Sequence, residues 1–309
     1  MTAPRPGLAV GLMVTATAFI AATKLLAKAL GTDALGPPLP AFQVTFGRFL
    51  FGAVAIGAVA ALLRPTLTLA HAPLQLGRVA CGWTGVTLMF AAAASIPLAE
   101  ATAISFLNPV VAMILAIPVL GERVGRVRWT AAAIAIAGGL LLLRPGAAAV
   151  APGAVLAFGA ALALGSEVLF MKRLTRVEGA LSTLVWSNGV GLLVSCVAAL
   201  PGWQAPTAAQ WLAMGALGTL MACAQGCFIN ALMRADASFI TPFSYLTLVF
   251  AGLYDAAIFG VVPDAVGWTG AGLVILGAAL LAWREGRLHR RATPPAPLSP
   301  PSAAQDLRR

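Results

Sequence analysis

Residues 96–144 read IPLAEATAISFLNPVVAMILAIPVLGERVGRVRWTAAAIAIAGGLLLLR, two apolar runs joined by the charged turn Gly121-Glu122-Arg123. The pattern returns 139 residues later, at 235–283, as ADASFITPFSYLTLVFAGLYDAAIFGVVPDAVGWTGAGLVILGAALLAW. Laid over each other without a gap, the two stretches share 14 identities in 49 positions. Ser105 matches Ser244, Gly121 matches Gly260, Gly138 matches Gly277, and the pair Trp129-Thr130 matches Trp268-Thr269. In a chain so rich in Ala and Leu some matches come by chance, but the paired Trp-Thr after the turn marks a duplication.

Composition decides the class. The 309 residues are 60% hydrophobic and only 10% charged, against roughly 25% charged in a soluble domain. Ten apolar runs approach or exceed the roughly 20 residues that cross a bilayer as helix: 8–29, 41–63, 74–94, 98–120, 127–144, 151–171, 181–200, 209–233, 237–259 and 265–283. The expectation is an all-α membrane protein with ten transmembrane helices. A first unit covers 1–145, a second covers 146–285, and a basic, Pro-rich tail at 286–309 is expected to be disordered.

Charge gives the orientation. With the N-terminus in the cytoplasm, 16 of the 20 Lys and Arg fall on the cytoplasmic side, so both termini are expected there. The short basic loops account for the net charge of +10, and no aromatic-basic motif points to nucleic acid. Because each unit has five spans, the second enters the membrane upside down. Inverted repeats recur in secondary transporters, which place a midplane site between the halves. The first apolar run reads as a retained helix rather than a cleaved leader.

Cys81, Cys196, Cys223 and Cys227 all sit in apolar runs without metal or redox spacing and read as packing. The two histidines, His71 and His289, lie outside the spans. No catalytic dyad or metal motif is therefore expected at membrane depth, and an intramembrane enzyme is disfavoured.

The residues just read resemble a known family. PLAEATAISFLNPVVAMILAIPVLGERV is similar to the fourth-span signature of the drug/metabolite transporter superfamily, EamA type, and ADASFITPFSYLTLVFAGLYDAAIFG to its ninth-span counterpart. One departure stands out: Gly260 is followed by Val261 where the family repeats Gly-Glu, which leaves Glu122 alone. The resemblance implies export of small metabolites, with YddG-like amino-acid exporters as the branch and multidrug or other metabolite export as the alternative. It implies a bacterial inner-membrane location and no cofactor. The substrate gradient or protons would supply the energy; a monomer suffices and a dimer stays open. A channel or scramblase would need a continuous polar path, which the scattered polar residues do not make.

Ionisable groups inside spans are costly, so each is a candidate for function. They are Lys24, Arg48, Glu100, Glu167 and Asp255. Lys24 or Arg48 is expected to attract a substrate carboxylate, and one of the acids to meet an amine or carry a proton. Glu167, with no basic neighbour before Lys172, is the leading acid. Glu100, in a first helical turn, is already favoured by the helix dipole. Ser105, Asn108, Asn188, Gln225 and Ser244 are polar candidates, although interhelical hydrogen bonds explain most such residues. Trp83, Trp186 and Tyr245 could stack on a substrate. Phe106 and Tyr245 hold equivalent positions, which hints at a pair on the axis. The Ala- and Gly-rich spans 5 and 10 are expected to pack tightly, and Pro109, Pro118 and Pro242 to open their helices locally.

Overall fold

The computed structural model describes residues 6–67, 70–120, 125–143, 151–174, 177–232 and 241–292. The turn Gly121–Arg123, with Glu122, lies outside the described residues, as do 293–309.

Every regular element among the described residues is helical. In chain order they are α1 (Pro6–Gly31), α2 (Ala41–Leu63), α3 (Ala72–Ser95), α4 (Leu98–Ser105), α5 (Asn108–Leu120), α6 (Arg126–Leu143), α7 (Pro152–Leu174), α8 (Ala180–Ala199), α9 (Ala208–Leu232), α10 (Leu246–Phe259) and α11 (Ala265–Ala292). Seven stretches are long and apolar enough to cross a membrane, one of them the broken α4–α5 pair; 129–142, 243–259 and 265–277 are shorter apolar helices. Large side chains such as Leu62 and Leu212 stand 84% and 76% exposed. In water that would be unfavourable, but lipid covers it. The last helix runs on to Ala292 rather than fraying at 285. No proline intervenes before Pro294.

The fourth span is two helices, broken at Phe106–Leu107. Pro109 has no N–H to give to Ser105 O. Asn108 Nδ2 takes that place and donates to Ser105 O at 2.9 Å. A 3-10 turn at Thr241–Tyr245 leads into α10, so the change of helix type at Tyr245–Leu246 falls 139 residues after the break at Phe106–Leu107. The two units thus interrupt the same span at the same position. Gly260 closes α10 with φ +66°, a left-handed conformation that favours glycine.

Helices pack mainly across the halves, and the most extensive of these contacts have mirrors. α3 lies along α7 as α1 lies along α9; α5 meets α7 as α1 meets α10. Other pairs join equivalent helices to each other: α2 with α8, α4 with α10, and α6 with α11. The last of these is symmetric to the atom. A β-carbon on Gly138 would stand 2.7 Å from Gly270 O and Val274 N, and one on Gly277 would stand 2.6 Å from Ala131 O and Ala135 N. Moving every residue of the first contact by 139 positions gives the second. Glycine at both places lets the backbones touch, as small residues do in membrane helix pairs. α2 and α8 run antiparallel: Phe49 packs on Gly191 and Gly52 on Asn188.

Candidate functional site

Equivalent residues that touch each other must lie on the axis relating the halves. Phe106 and Tyr245 do so, edge to face with centroids 5.3 Å apart. The α6–α11, α4–α10 and α2–α8 pairs therefore succeed one another along that axis. Between the α4–α10 pair and the α2–α8 pair, flanked by α1, α3, α7 and α9, lies the interior of the protein. The sequence candidates can be placed against this frame.

On the α4–α10 side, Lys24 of α1 reaches inward. Its Nζ donates to Thr102 Oγ1 at 3.4 Å and stands 5.9 Å from the Phe106 ring centre. A cation over an aromatic face is attracted by the ring quadrupole. Among the described residues no carboxylate pairs with Lys24.

On the α2–α8 side, Arg48 is 6% exposed and its guanidinium sits 3.9 Å from the Phe49 ring centre. Its Nε and Nη1 are buried and have no hydrogen-bond partner. Glu167 of α7 and Arg78 of α3 both lie within electrostatic range of it. Arg78 Nη2 pairs with Glu167 Oε1 at 3.2 Å, and Arg78 Nη1 donates to Thr183 O at 3.5 Å. Glu167, which has no basic neighbour before Lys172 on its own helix, finds one across the halves. The close approach of α3 makes this possible: a β-carbon on Gly82 would stand 2.9 Å from the Glu167 carboxyl carbon. Nearby, Trp83 Nε1 donates to Ser195 Oγ at 2.6 Å, Ser195 Oγ donates to Gly191 O, and the Trp83 ring stacks on Phe42. Asn188 Nδ2 donates to Leu184 O while its Oδ1 faces Gly52. The hydroxyls of Thr45 and Thr87 share a buried hydrogen bond at 3.0 Å.

The remaining candidates have these surroundings. Asp255, expected to meet substrate or a proton, is 1% exposed and holds Lys28 in an ion pair; its Oδ2 also accepts from Leu98 N, the first residue of α4, at 2.8 Å. It ties α1, α4 and α10 together. Glu100 packs against Gly267 in the first turn of α11. Ser105 Oγ donates to Thr102 O within its own helix, and Asn108 seals the break. Trp186 Nε1 is buried without a partner in α8; Gln225 is half-buried in α9 and Ser244 sits in the 3-10 turn. Arg78, Lys28 and Thr102 are the residues that sequence reasoning passed over. An arginine seven residues into a helix of mostly apolar neighbours was the available signal.

Both ends of the interior are laced by one device. Gln75, in the first turn of α3, sends its Nε2 to Glu178 Oε2 at 2.6 Å, across to the α7–α8 loop. Gln210, in the first turn of α9, sends its Nε2 to Pro37 O at 2.8 Å, across to the α1–α2 loop. Each fully buried glutamine bridges from one half to the first loop of the other. His71 and Ser182 add to the Glu178 cluster; Gln43 exchanges two hydrogen bonds with the Gln204 backbone at the opposite end.

A duplicated helical membrane fold, with charged groups gathered between its halves and sealed at both ends, defines a membrane transporter. The chain belongs to the EamA-like transporter family, whose pattern it matches twice, at residues 7–144 and 151–283. It is 30% identical over 216 residues to a riboflavin transporter of Vibrio cholerae, covering 69% of this chain and 72% of that protein. It is 27% identical to an S-adenosylmethionine uptake transporter of Rickettsia bellii, covering 81% and 87%. A crystal structure superposes with a TM-score of 0.62 at 21% identity, over 92% of this chain and 99% of that one, a likeness in fold alone. These relatives do not single out the amino-acid exporters.

Proposed function

We propose that this protein is a secondary carrier that moves a small organic metabolite across the bacterial inner membrane by alternating access. On this reading it has ten spans in two inverted halves, 1–145 and 146–285, with both termini in the cytoplasm. The antiparallel course of the equivalent helices α2 and α8 supports the inversion. The observation that carries the function is the Arg48–Glu167–Arg78 group. It sits in the interior, draws on both halves, and has donor groups left over. Such a group is expensive in a membrane protein that only needs to fold.

The relatives named for riboflavin and for S-adenosylmethionine act on planar heterocycles bearing polar groups. A substrate of that kind suits an interior where the Phe106–Tyr245 pair lies beside Lys24 and the Phe49 ring beneath Arg48. Amino acids, the class expected from the sequence, share the polar part. Counterflow in proteoliposomes tests the reading. Vesicles are loaded with unlabelled riboflavin, S-adenosylmethionine or single amino acids, and entry of the labelled compound is followed with and without a pH gradient. Saturable exchange of one compound is expected; flux that never saturates, or none for any compound, refutes the carrier reading.

A further inference from the structure

The charge inside the protein does not balance. Buried charges elsewhere have partners: Lys28 has Asp255, Arg78 has Glu167, and Glu178 has Gln75, Ser182 and His71. Arg48 does not. Glu167 is taken by Arg78, so the guanidinium is left with a ring beneath it and two buried nitrogens facing no acceptor. Lys24 adds a second cation with one long hydrogen bond and no carboxylate. Among the described residues gathered there, the three cations Lys24, Arg48 and Arg78 meet one acid, Glu167.

A buried guanidinium without acceptors is costly, because the group loses its water and gains nothing in exchange. Two readings follow. Either the cost is uncompensated, or the acceptor arrives from outside and leaves again, as a carried molecule does. The planar fork of arginine matches a carboxylate or phosphate with two parallel hydrogen bonds. The ring of Phe49 holds the fork from behind and fixes its plane. Asn188 and Gly52, one turn further along α2, leave the adjoining surface narrow, since a β-carbon on Gly52 would stand 2.6 Å from Asn188 Oδ1.

We propose that Arg48 is the anchor for an oxyanion on the substrate, so that the carried molecule is an organic acid, a carboxylate or a phosphate ester. Lys24 extends the positive field toward the Phe106–Tyr245 pair, where the uncharged body of the substrate lies. The Arg78–Glu167 pair keeps Glu167 from quenching Arg48, and thereby holds the anchor ready. This rests on the carrier reading above, and goes beyond it by stating the charge of the cargo. It also separates this chain from a carrier of neutral molecules.

The test uses matched acid and neutral probes on the purified full-length protein. Thermal stabilisation is titrated with nicotinate against nicotinamide, indole-3-acetate against indole-3-acetamide, and riboflavin 5′-phosphate against riboflavin. The acid of at least one pair should bind at least about tenfold more tightly than its neutral partner, as expected for charge-assisted hydrogen bonds. Carboxylate pairs and the phosphate pair tell the two oxyanions apart. The preference should vanish in Arg48→Gln and survive in weakened form in Arg48→Lys, which keeps the charge and loses the fork. Wild-type protein stabilised equally by acid and neutral members, or by neither, overturns the proposal, as does a preference that persists in Arg48→Gln. If Arg48→Gln does not fold, Arg48→Lys alone decides, because an unaltered preference there also overturns it. Counterflow by the wild type is measured alongside: exchange without an acid preference defeats this inference only, whereas acid binding without saturable exchange defeats the carrier reading only.

Discussion

Removing the Asp255 carboxylate should be among the most damaging single changes outside the substrate path. Asp255 and Lys28 are paired with side-chain exposures of 2% and 9%, and the carboxylate also accepts from Leu98 N at the start of α4. In Asp255→Ala the Lys28 ammonium stays buried with only the Phe259 ring, 4.8 Å away, to face. Breaking a buried pair from one side costs about 3–5 kcal/mol, and losing an N-terminal helix acceptor adds about 1 kcal/mol. The sum, about 4–6 kcal/mol, rivals the whole stability of many domains. Replacing both partners by apolar side chains removes the stranded charge, so Lys28→Met with Asp255→Leu should recover most of the loss. Unfolding by sodium dodecyl sulfate, followed by tryptophan fluorescence, gives the four corners of the double-mutant cycle: wild type, Lys28→Met, Asp255→Leu and the double variant. A coupling energy above about 2 kcal/mol is expected. Additive single changes, or an Asp255→Ala variant within about 1 kcal/mol of wild type, would refute the view that this pair clamps α1, α4 and α10 together.

Gly138→Val and Gly277→Val should each destabilise by about 1–3 kcal/mol from overpacking, and by similar amounts, because the two contacts are equivalent; thermal melts in detergent check this, and a tolerated change at one position alone would break the symmetry argument. Glu178→Ala removes the acceptor shared by Gln75 and Ser182 and should loosen that end of the protein, raising the rate at which maleimide labels half-buried Cys81 several-fold; an unchanged rate counts against a latch. Trp83→Phe deletes the Nε1 hydrogen bond to Ser195 at a cost of about 1 kcal/mol, and a Ser195→Ala cycle measured by the same melts should show the two changes to be non-additive.

The register of the duplication was legible because it is carried by residues with few substitutes. Gly138 and Gly277 let two backbones touch, and no other side chain fits. The Phe106–Tyr245 pair on the axis could likewise be read from a fixed offset of 139. Ion-pair partners were not legible. Lys28 and Asp255 are 227 residues apart, and Arg78 reaches Glu167 across the two halves. Pairs between halves have no characteristic spacing, since the fold alone sets them. For the same reason Asp255, alone in its apolar run, reads in sequence as a functional acid and turns out to be the partner of a lysine. Asn108, singled out as a polar candidate, instead replaces the hydrogen bond that Pro109 cannot make.

The two halves share the contacts on their axis but differ in what seals them. At the Gln204 end the links are amide hydrogen bonds, backed by Trp203 between Phe46 and Trp211. At the Glu178 end a carboxylate gathers Gln75, Ser182 and His71, with Arg78 and Glu167 a short way inside. The helices differ in the same sense. α2 and α9 meet backbone to backbone, where a β-carbon on Gly218 would stand 2.9 Å from both Arg48 O and Gly52 N. Their counterparts α8 and α3 meet through Trp83–Ser195 and Arg78–Thr183 O. A strictly two-fold arrangement would make these pairs alike, and the structure departs from it here. On the proposed carrier reading, exchanging the close contact from α2–α9 to α3–α8 would open the Gln204 end, and the links to break there include the Lys28–Asp255 pair as well as the neutral amide hydrogen bonds.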